Sequence, residues 1–503
     1  MTKTISLKNI TQQFSERTII ENVSFICRTG KHLCIVGDNG VGKSTILQII
    51  AGTLIPTKGT ISTNGYSRQT YVAQEFPGDF LNSIVEEYIS HHTTSAEYKK
   101  LFSIAKELGY DVEKVLSKKC LELSGGQQKI LMLSCALAIT PDFLLLDEPE
   151  NHLDIVSRRV LITLLSSYEG GLLFISHDRA LIDSLADSVI EVADKSIHIS
   201  KGDYQDYLDS RSNRIASTQR NFDIASKRIK QLEAMMPILQ QKAFRGKDVA
   251  TYLKRKNELQ EMKDVQKAIP RAKDRHTTIN LNQSGSDIHM GKLLCRVESL
   301  TTSYSNSNRS ILRDVSLELR TGEPVVILGR NGSGKSTFLK CLMGKIPLTS
   351  GSITWEENIH VTHFDQHVEF NESMSALEII QELLPVPTEK ARSLLGAMKL
   401  SAEKIVVPIA VLSGGERMRL RFAIVFGGQP DCIILDEPTN HLDETTWEIV
   451  LRACNETKAT IILVTHDHEF IDGLESKLFW LLKDQSIKEQ HKDLEEIILE
   501  LQG

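Results

Sequence analysis

No run of this sequence approaches the roughly 18 uncharged apolar residues that a membrane-crossing helix needs, so a membrane domain is not expected. The opening MTKTISLKNI lacks the apolar core of a secretory signal, and a cytoplasmic location is expected. The eight cysteines form no CxxC pair, and most sit in apolar runs, as Cys34, Cys135 and Cys432 do. They read as buried thiols in a reducing compartment, which argues against a zinc site or a disulfide framework. A disorder-prone composition is missing too: 41% apolar and 25% charged residues are ordinary for a globular chain. At 503 residues, length suggests about three domain-sized units.

What is present is a repeat. GDNGVGKST begins at Gly37 and GRNGSGKST at Gly329; LSGG begins at Leu123 and Leu412. LLLDEPENHLD ends at Asp154 and IILDEPTNHLD at Asp443; ISHD contains His177 and VTHD contains His466. The paired lysines lie 292 positions apart, and the paired serines and histidines 289. One domain has been duplicated with almost no insertion. The first copy is expected over 1–202 and the second over 291–503, with 203–290 between them. Short apolar runs alternate with helical patterns in each. His32–Gly37, Phe143–Asp147 and Leu172–Ser176, matched by Val325–Gly329, Cys432–Asp436 and Ile461–Thr465, read as buried strands. Such strands, separated by helices, predict an α/β domain with a parallel sheet covered on both faces.

Each glycine-rich loop follows a strand and opens a helix. A helix N-terminus offers unpaired N–H groups and about half a positive charge, which suits a phosphate. Gly37, Gly40 and Gly42 let the backbone approach phosphates, Lys43 reaches them, and Ser44 suits Mg²⁺. Gly329, Gly332, Gly334, Lys335 and Ser336 repeat this P-loop, and Asn39, Thr45, Asn331 and Thr337 complete the two candidate ATP-binding sets. A plain helix-capping turn is the alternative, and two matches in the right context oppose it. Each following carboxylate strand ends in a pair. Asp147 and Asp436 are placed to hold Mg²⁺, and Glu148 and Glu437 to polarise the attacking water, since phosphoryl transfer mainly needs positioning and charge stabilisation.

With these motifs the chain resembles an ABC ATPase with both copies complete. LSGGQ (Ser124, Gly125, Gly126, Gln127) and LSGGE (Ser413, Gly414, Gly415, Glu416) match the family's signature loop. The resemblance implies that Lys43 shares one ATP with Ser413 and Gly415, and Lys335 the other with Ser124 and Gly126. It also implies two ATP per chain and a monomer whose heads pair within one molecule. Gln74 and Gln366 match the Q-loop, which contacts the metal. His177 and His466 match the switch histidine. Phe14 and Tyr304 resemble the aromatic that stacks on adenine, core packing being the alternative.

NHLD (Asn151–Asp154 and Asn440–Asp443) resembles the ABC-F group, whose members act on ribosomes. The energising subunit of a membrane importer is the rival reading, and the segment between the copies opposes it. From Arg211 to Arg275 there are 17 Lys+Arg against 7 Asp+Glu, while the whole chain is −6. A basic segment on an acidic body suits polyanions. Ile215, Thr218, Phe222, Ala225, Ile229, Leu232, Met236 and Leu239 fall on a heptad stripe. Tyr252, Leu259, Met262 and Ile269 supply a facing one, interrupted by Arg255 and Gln266. An antiparallel coiled-coil linker is expected. Because proline disrupts helix interiors, its turn is placed between Pro237 and Asp248, with Gly246 in it and a first arm of about 45 Å. Arg228, Lys230, Lys242, Arg245, Lys247, Lys254, Arg255 and Lys256 are candidate RNA-binding residues, a solvated spacer being the bland alternative. KGDYQDYL (Lys201–Leu208) resembles the family's approach to its linker. The resemblance implies binding in the ribosomal tRNA exit region, contact with large-subunit rRNA and tRNA, and either a translation role or ribosome protection from antibiotics.

The copies differ at one conspicuous place: Glu150 stands where the second copy has Thr439. An extra carboxylate near the first metal site is expected to slow that site. The Q-loop to signature gap is 49 residues in one copy and 46 in the other, leaving no room for an inserted arm. Only 37 residues follow His466, and no large further domain is expected there.

Overall fold

The computed structural model describes residues 2–15, 17–65, 68–245, 249–268, 291–303, 310–322, 324–364, 370–440 and 442–502. Tyr304, Gln366 and Lys247, singled out above, lie outside these residues, as do Gly246 and Ile269. The chain separates into two compact units, one of Met1–His198 with Thr277–Gly503, the other Ile199–His276.

The expected strands form within a residue of their expected bounds, because continuous apolar runs are buried on both faces. In the first copy Gln69–Val72, Phe143–Asp147, Gly171–Ile175, His32–Val36 and Ser188–Ala193 lie side by side in that order, all parallel. The second copy repeats it with Val361–Phe364, Cys432–Asp436, Thr460–Val464, Val325–Leu328 and Leu478–Lys483, closed by antiparallel Ser486–Gln490. A three-stranded antiparallel sheet accompanies each: Arg17–Arg28, Thr4–Phe14 and Lys58–Asn64, and Ser310–Arg320, Leu293–Ser303 and Ser350–Trp355. In the first copy, Ile5, Leu7 and Ile20 of the antiparallel sheet and Ile46 and Ile50 of the phosphate-loop helix share one apolar core. That packing seats the helix Lys43–Ala51 against the central strand.

The two copies touch within their shared unit. Ile155 and Val156 of the first belong to an apolar cluster otherwise built from the second. Full burial of an isoleucine side chain contributes about 1.5–3 kcal/mol.

In the other unit a 41-residue helix, Tyr204–Phe244, is followed by Val249–Ala268. At 1.5 Å per residue the first helix is about 60 Å long. Along its stripe Ala225, Ile229, Leu232 and Leu239 are buried, while most flanking positions are exposed. The helix also runs through Pro237, where the sequence reading places the start of the turn. Proline there removes one backbone donor, at a cost of about 3 kcal/mol. Leu232 and Leu239, buried on either side of it, hold the chain helical. Among the described residues no helix is long and apolar enough to cross a membrane.

Candidate active site

Gly42 and Gly334 cap the two phosphate-loop helices with φ of 109° and 113°. A side chain is strained at such angles, and a Cβ on Gly42 would come within 2.7 Å of Ile19. The turn aims the first N–H groups of each helix into the loop. Lys43 Nζ donates to the carbonyls of Gly37 (2.6 Å) and Asp38 (3.2 Å). Lys335 repeats this with Gly329 (2.8 Å) and Arg330 (3.2 Å). Burial lowers both lysine pKa values; Glu148 foremost opposes this at Lys43, and Glu437 at Lys335.

The carboxylate pairs sit at the ends of Phe143–Asp147 and Cys432–Asp436. Asp147 is hydrogen-bonded by Ser44 and Asp436 by Ser336. Both aspartates are pushed up by burial, and the Oδ1 atom of each is buried with no hydrogen-bond partner. An orphaned acceptor beside a serine hydroxyl fits a hard divalent cation. Glu148 and Glu437 adopt φ of 46° and 49°, a left-handed backbone uncommon for a glutamate and maintained in both copies. Gln74 Nε2 donates to Glu148 Oε2 at 2.7 Å, and Asn151 Nδ2 donates to the same oxygen. Burial raises the Glu437 pKa to about 7, with Lys335 and Arg158 opposing.

His466 is buried, and burial holds its pKa well below the usual range, helped by Lys335 and Arg158. Its Nδ1 accepts from the Ile155 amide of the other copy at 3.3 Å. Nε2 therefore carries the proton, and it lies 3.3 Å from Glu437 Oε1. His177 sits at the corresponding loop, its amide donating to Glu150 Oε1 at 3.2 Å.

The second phosphate loop faces the first copy. Asn331 N donates to Asp154 Oδ2 at 2.8 Å, and Asn331 Nδ2 donates to the His152 carbonyl at 2.7 Å. Gly126 lies against this contact: a Cβ there would stand 2.5 Å from the His152 oxygen and 3.1 Å from Asn331 Nδ2. The structure thus brings the first signature loop to the second phosphate loop. On the other side, a Cβ on Gly415 would meet Asp443 Oδ2 at 2.7 Å, and Asp443 is among the anions acting on Lys43. Ser124 and Ser413 serve as helix caps, each in a reciprocal box with Gln127 or Glu416. Phe14, at the end of its strand, is 47% exposed and open to a stacking partner.

Three residues enter the site that sequence reasoning passed over. Lys129 Nζ donates to the carbonyls of Ala73 (3.0 Å), Gln74 (3.3 Å) and Asp147 (3.0 Å). Burial lowers its pKa to about 8, against the pull of Glu150, Asp147 and Glu148. Arg158 donates to the His466 carbonyl at 3.1 Å, and to the Leu153 carbonyl at 3.2 Å. Tyr71 Oη donates to Asp147 Oδ2 at 3.2 Å. Setting the two copies side by side reveals Lys129 and Arg158, opposite Met418 and Trp447. In the hairpin unit, Arg228 and Arg255 are both paired with Glu258, while Lys263 pairs with Glu233 at 2.7 Å.

Duplicated phosphate loops, each followed by a signature helix and a carboxylate strand and meeting across the molecule, define a tandem nucleotide-binding cassette. A family model described as ABC transporter matches residues 20–151 and 312–440. The putative ATP-binding protein YdiF of Bacillus subtilis is 30% identical over 95% of this chain and 80% of its own. ATP-binding cassette sub-family F member 3 of Mus musculus is 26% identical over 96% of this chain and 72% of its own. The fold matches the archaeal ribosome recycling factor aABCE1, solved with stalk protein aP1, at a TM-score of 0.65 and 20% identity over 98% of this chain and 92% of that one. The chain belongs to the ABC family, as a tandem ATPase of the F type. It binds and hydrolyses ATP.

Proposed function

We propose that this ATPase works on the ribosome, binding in the tRNA exit region. Two ATP molecules, one at Lys43 and one at Lys335, close the cassettes on one another. Ser44, Asp147 and Gln74 would hold Mg²⁺ at the first site, and Ser336, Asp436 and Gln366 at the second. Bound there, the ion would neutralise the charge of the phosphates. Glu148 and Glu437 polarise the attacking water, and His177 and His466 orient the transferring phosphate. Phe14 and Tyr304 stack on adenine. Ser124 with Gly126, and Ser413 with Gly415, complete the site of the opposite copy. Closure stabilises the bound state; the hairpin shifts a tRNA or reshapes the neighbouring pocket; hydrolysis then releases the protein.

The observation that carries this reading is the hairpin unit, with 17 Lys+Arg against 7 Asp+Glu from Arg211 to Arg275 on a chain of net charge −6. Such charge gives affinity for RNA phosphates through counterion release, without sequence readout. Glu258 already engages Arg228 and Arg255. Lys230, Lys242, Arg245, Lys254 and Lys256 are further cations for this role, together with Lys247. The F-type relatives and the recycling factor of the same fold support it.

Gradient sedimentation tests the reading. The E148Q/E437Q variant should stay on ribosomes in the presence of ATP, and its sedimentation free of them would refute the proposal. Repeating the run with ribosome-targeting drugs distinguishes ribosome protection from a general translation role. Reversing Lys254, Arg255 and Lys256 should weaken association and flatten its salt dependence.

A further inference from the structure

The two copies differ together at two positions that are buried in the first. Lys129 stands where the second copy has Met418, and Glu150 where it has Thr439. Lys129 is 2% exposed and spends its three donors on the carbonyls of Ala73, Gln74 and Asp147. These carbonyls lie where two adjacent parallel strands, Gln69–Val72 and Phe143–Asp147, run out into the Q-loop and the carboxylate pair. Glu150, 4% exposed, faces a different loop: its Oε1 accepts from Ser176 Oγ at 2.6 Å and from the His177 amide at 3.2 Å. Its Oε2 is buried with no hydrogen-bond partner. The second copy makes the corresponding junction without charge, through Thr439 Oγ1 and Thr465 Oγ1 at 2.8 Å.

A buried charge left alone is costly, whereas a buried cation near a buried anion is tolerated. Glu150 is foremost among the anions that favour the Lys129 charge. Both charges are present in the first copy and neither in the second. We propose that Lys129 and Glu150 are a coupled pair of positioning residues that fix the Q-loop and the switch-histidine loop of the first site onto its carboxylate strand, a device the second site lacks. Through Lys129 the pair sets the Gln74 backbone, whose side chain holds Glu148. Through Glu150 it sets the backbone of His177. The inference rests on Glu148 and Glu437 as the water-polarising groups and is independent of the ribosomal role.

The test is steady-state ATP turnover in an E437Q background, where the first site alone is active. Contrary to the expectation that the extra carboxylate slows the first site, K129M and E150T should each lower kcat at least tenfold, with KM for ATP changed less than threefold. K129M/E150T, which leaves no charge buried alone, should lose clearly less than the product of the two single losses. K129R, which keeps the cation, should lose less than K129M. Single variants with the parent kcat would overturn the proposal. So would a double variant whose loss is the product of the two single losses. Binding of a fluorescent ATP analogue identifies folded protein; should a single variant not fold, a folded double variant still decides by being active or inactive. E148Q/E437Q is the control: turnover there would fault the glutamate assignment, not the pair.

Discussion

Asp154 does two things with one carboxylate. Oδ1 accepts from Ser157 N at 2.8 Å and caps the helix Ile155–Ser166, while Oδ2 accepts from Asn331 N of the other copy at 2.8 Å. The side chain is buried, and it is among the anions that favour the charge of Lys335. Loss of a helix cap costs about 1 kcal/mol. A hydrogen bond to a charged acceptor is worth about 1.5–3 kcal/mol. D154A should therefore cost about 2.5–4 kcal/mol in all. D154S restores a capping oxygen on a shorter side chain that does not reach Asn331, and should regain about 1 kcal/mol of that. The remainder falls on closure of the second site, where 1.4 kcal/mol is a factor of ten, so apparent ATP affinity should drop roughly ten- to hundredfold. The assay combines thermal melts of both variants with ATP titration of turnover in an E148Q background, which leaves the second site active. If D154S melts with the wild type and titrates like it, the crossing bond contributes nothing and the closed arrangement is misread.

Gly126→Ala places a methyl 2.5 Å from the His152 carbonyl oxygen, a backbone atom that cannot yield cheaply, and should lower second-site turnover at least tenfold in the same E148Q assay. Burial raises the Glu150 carboxyl from its ordinary 4.5 to about 7. Between those values the unfolded carboxyl ionises first, so this group's contribution falls as pH rises. From pH 5 to pH 7, K129M/E150T should therefore gain about 2 kcal/mol of stability relative to the parent, read from denaturant melts at both pH values. Lys129, lowered to about 8, stays charged across that window. Glu258→Ala releases Arg228 and Arg255 from a half-buried network. Stability should barely change, while affinity for an rRNA fragment at low salt should rise; a fall in affinity would place those guanidiniums off the RNA path.

The phosphate loops, the carboxylate strands and the shielded seam of the long helix were legible because each depends on local pattern: glycines at fixed offsets, continuous apolar runs and a heptad stripe. The cross-copy contacts were legible only as family implications, since no spacing places Asn331 beside His152. Lys129 was missed for a physical reason: a lysine in the first turns of a helix reads as solvent-facing, and only the tertiary packing puts it at 2% exposure among three carbonyls. Arg158 was missed likewise, because its partners lie in Leu153, Asp178 and the other copy's His466. Pro237 misled in the opposite direction, since a local rule began the turn there, whereas packing at Leu232 and Leu239 carries the helix on to Phe244, and the helix end there, before Val249, falls within the expected window. The pairing of Arg228 and Arg255 with Glu258 needs a helix register that two loose stripes leave undetermined.

The single helical turn from Asp154 to Arg158 has a wider bearing. Its backbone amide holds the imidazole of His466, and its arginine reaches both the His466 carbonyl and, at 3.5 Å, Asp178 beside His177. Five consecutive residues thus touch the histidine loops of both copies. Because one arginine contacts both loops, a displacement of either would bear on the residue that steadies the other.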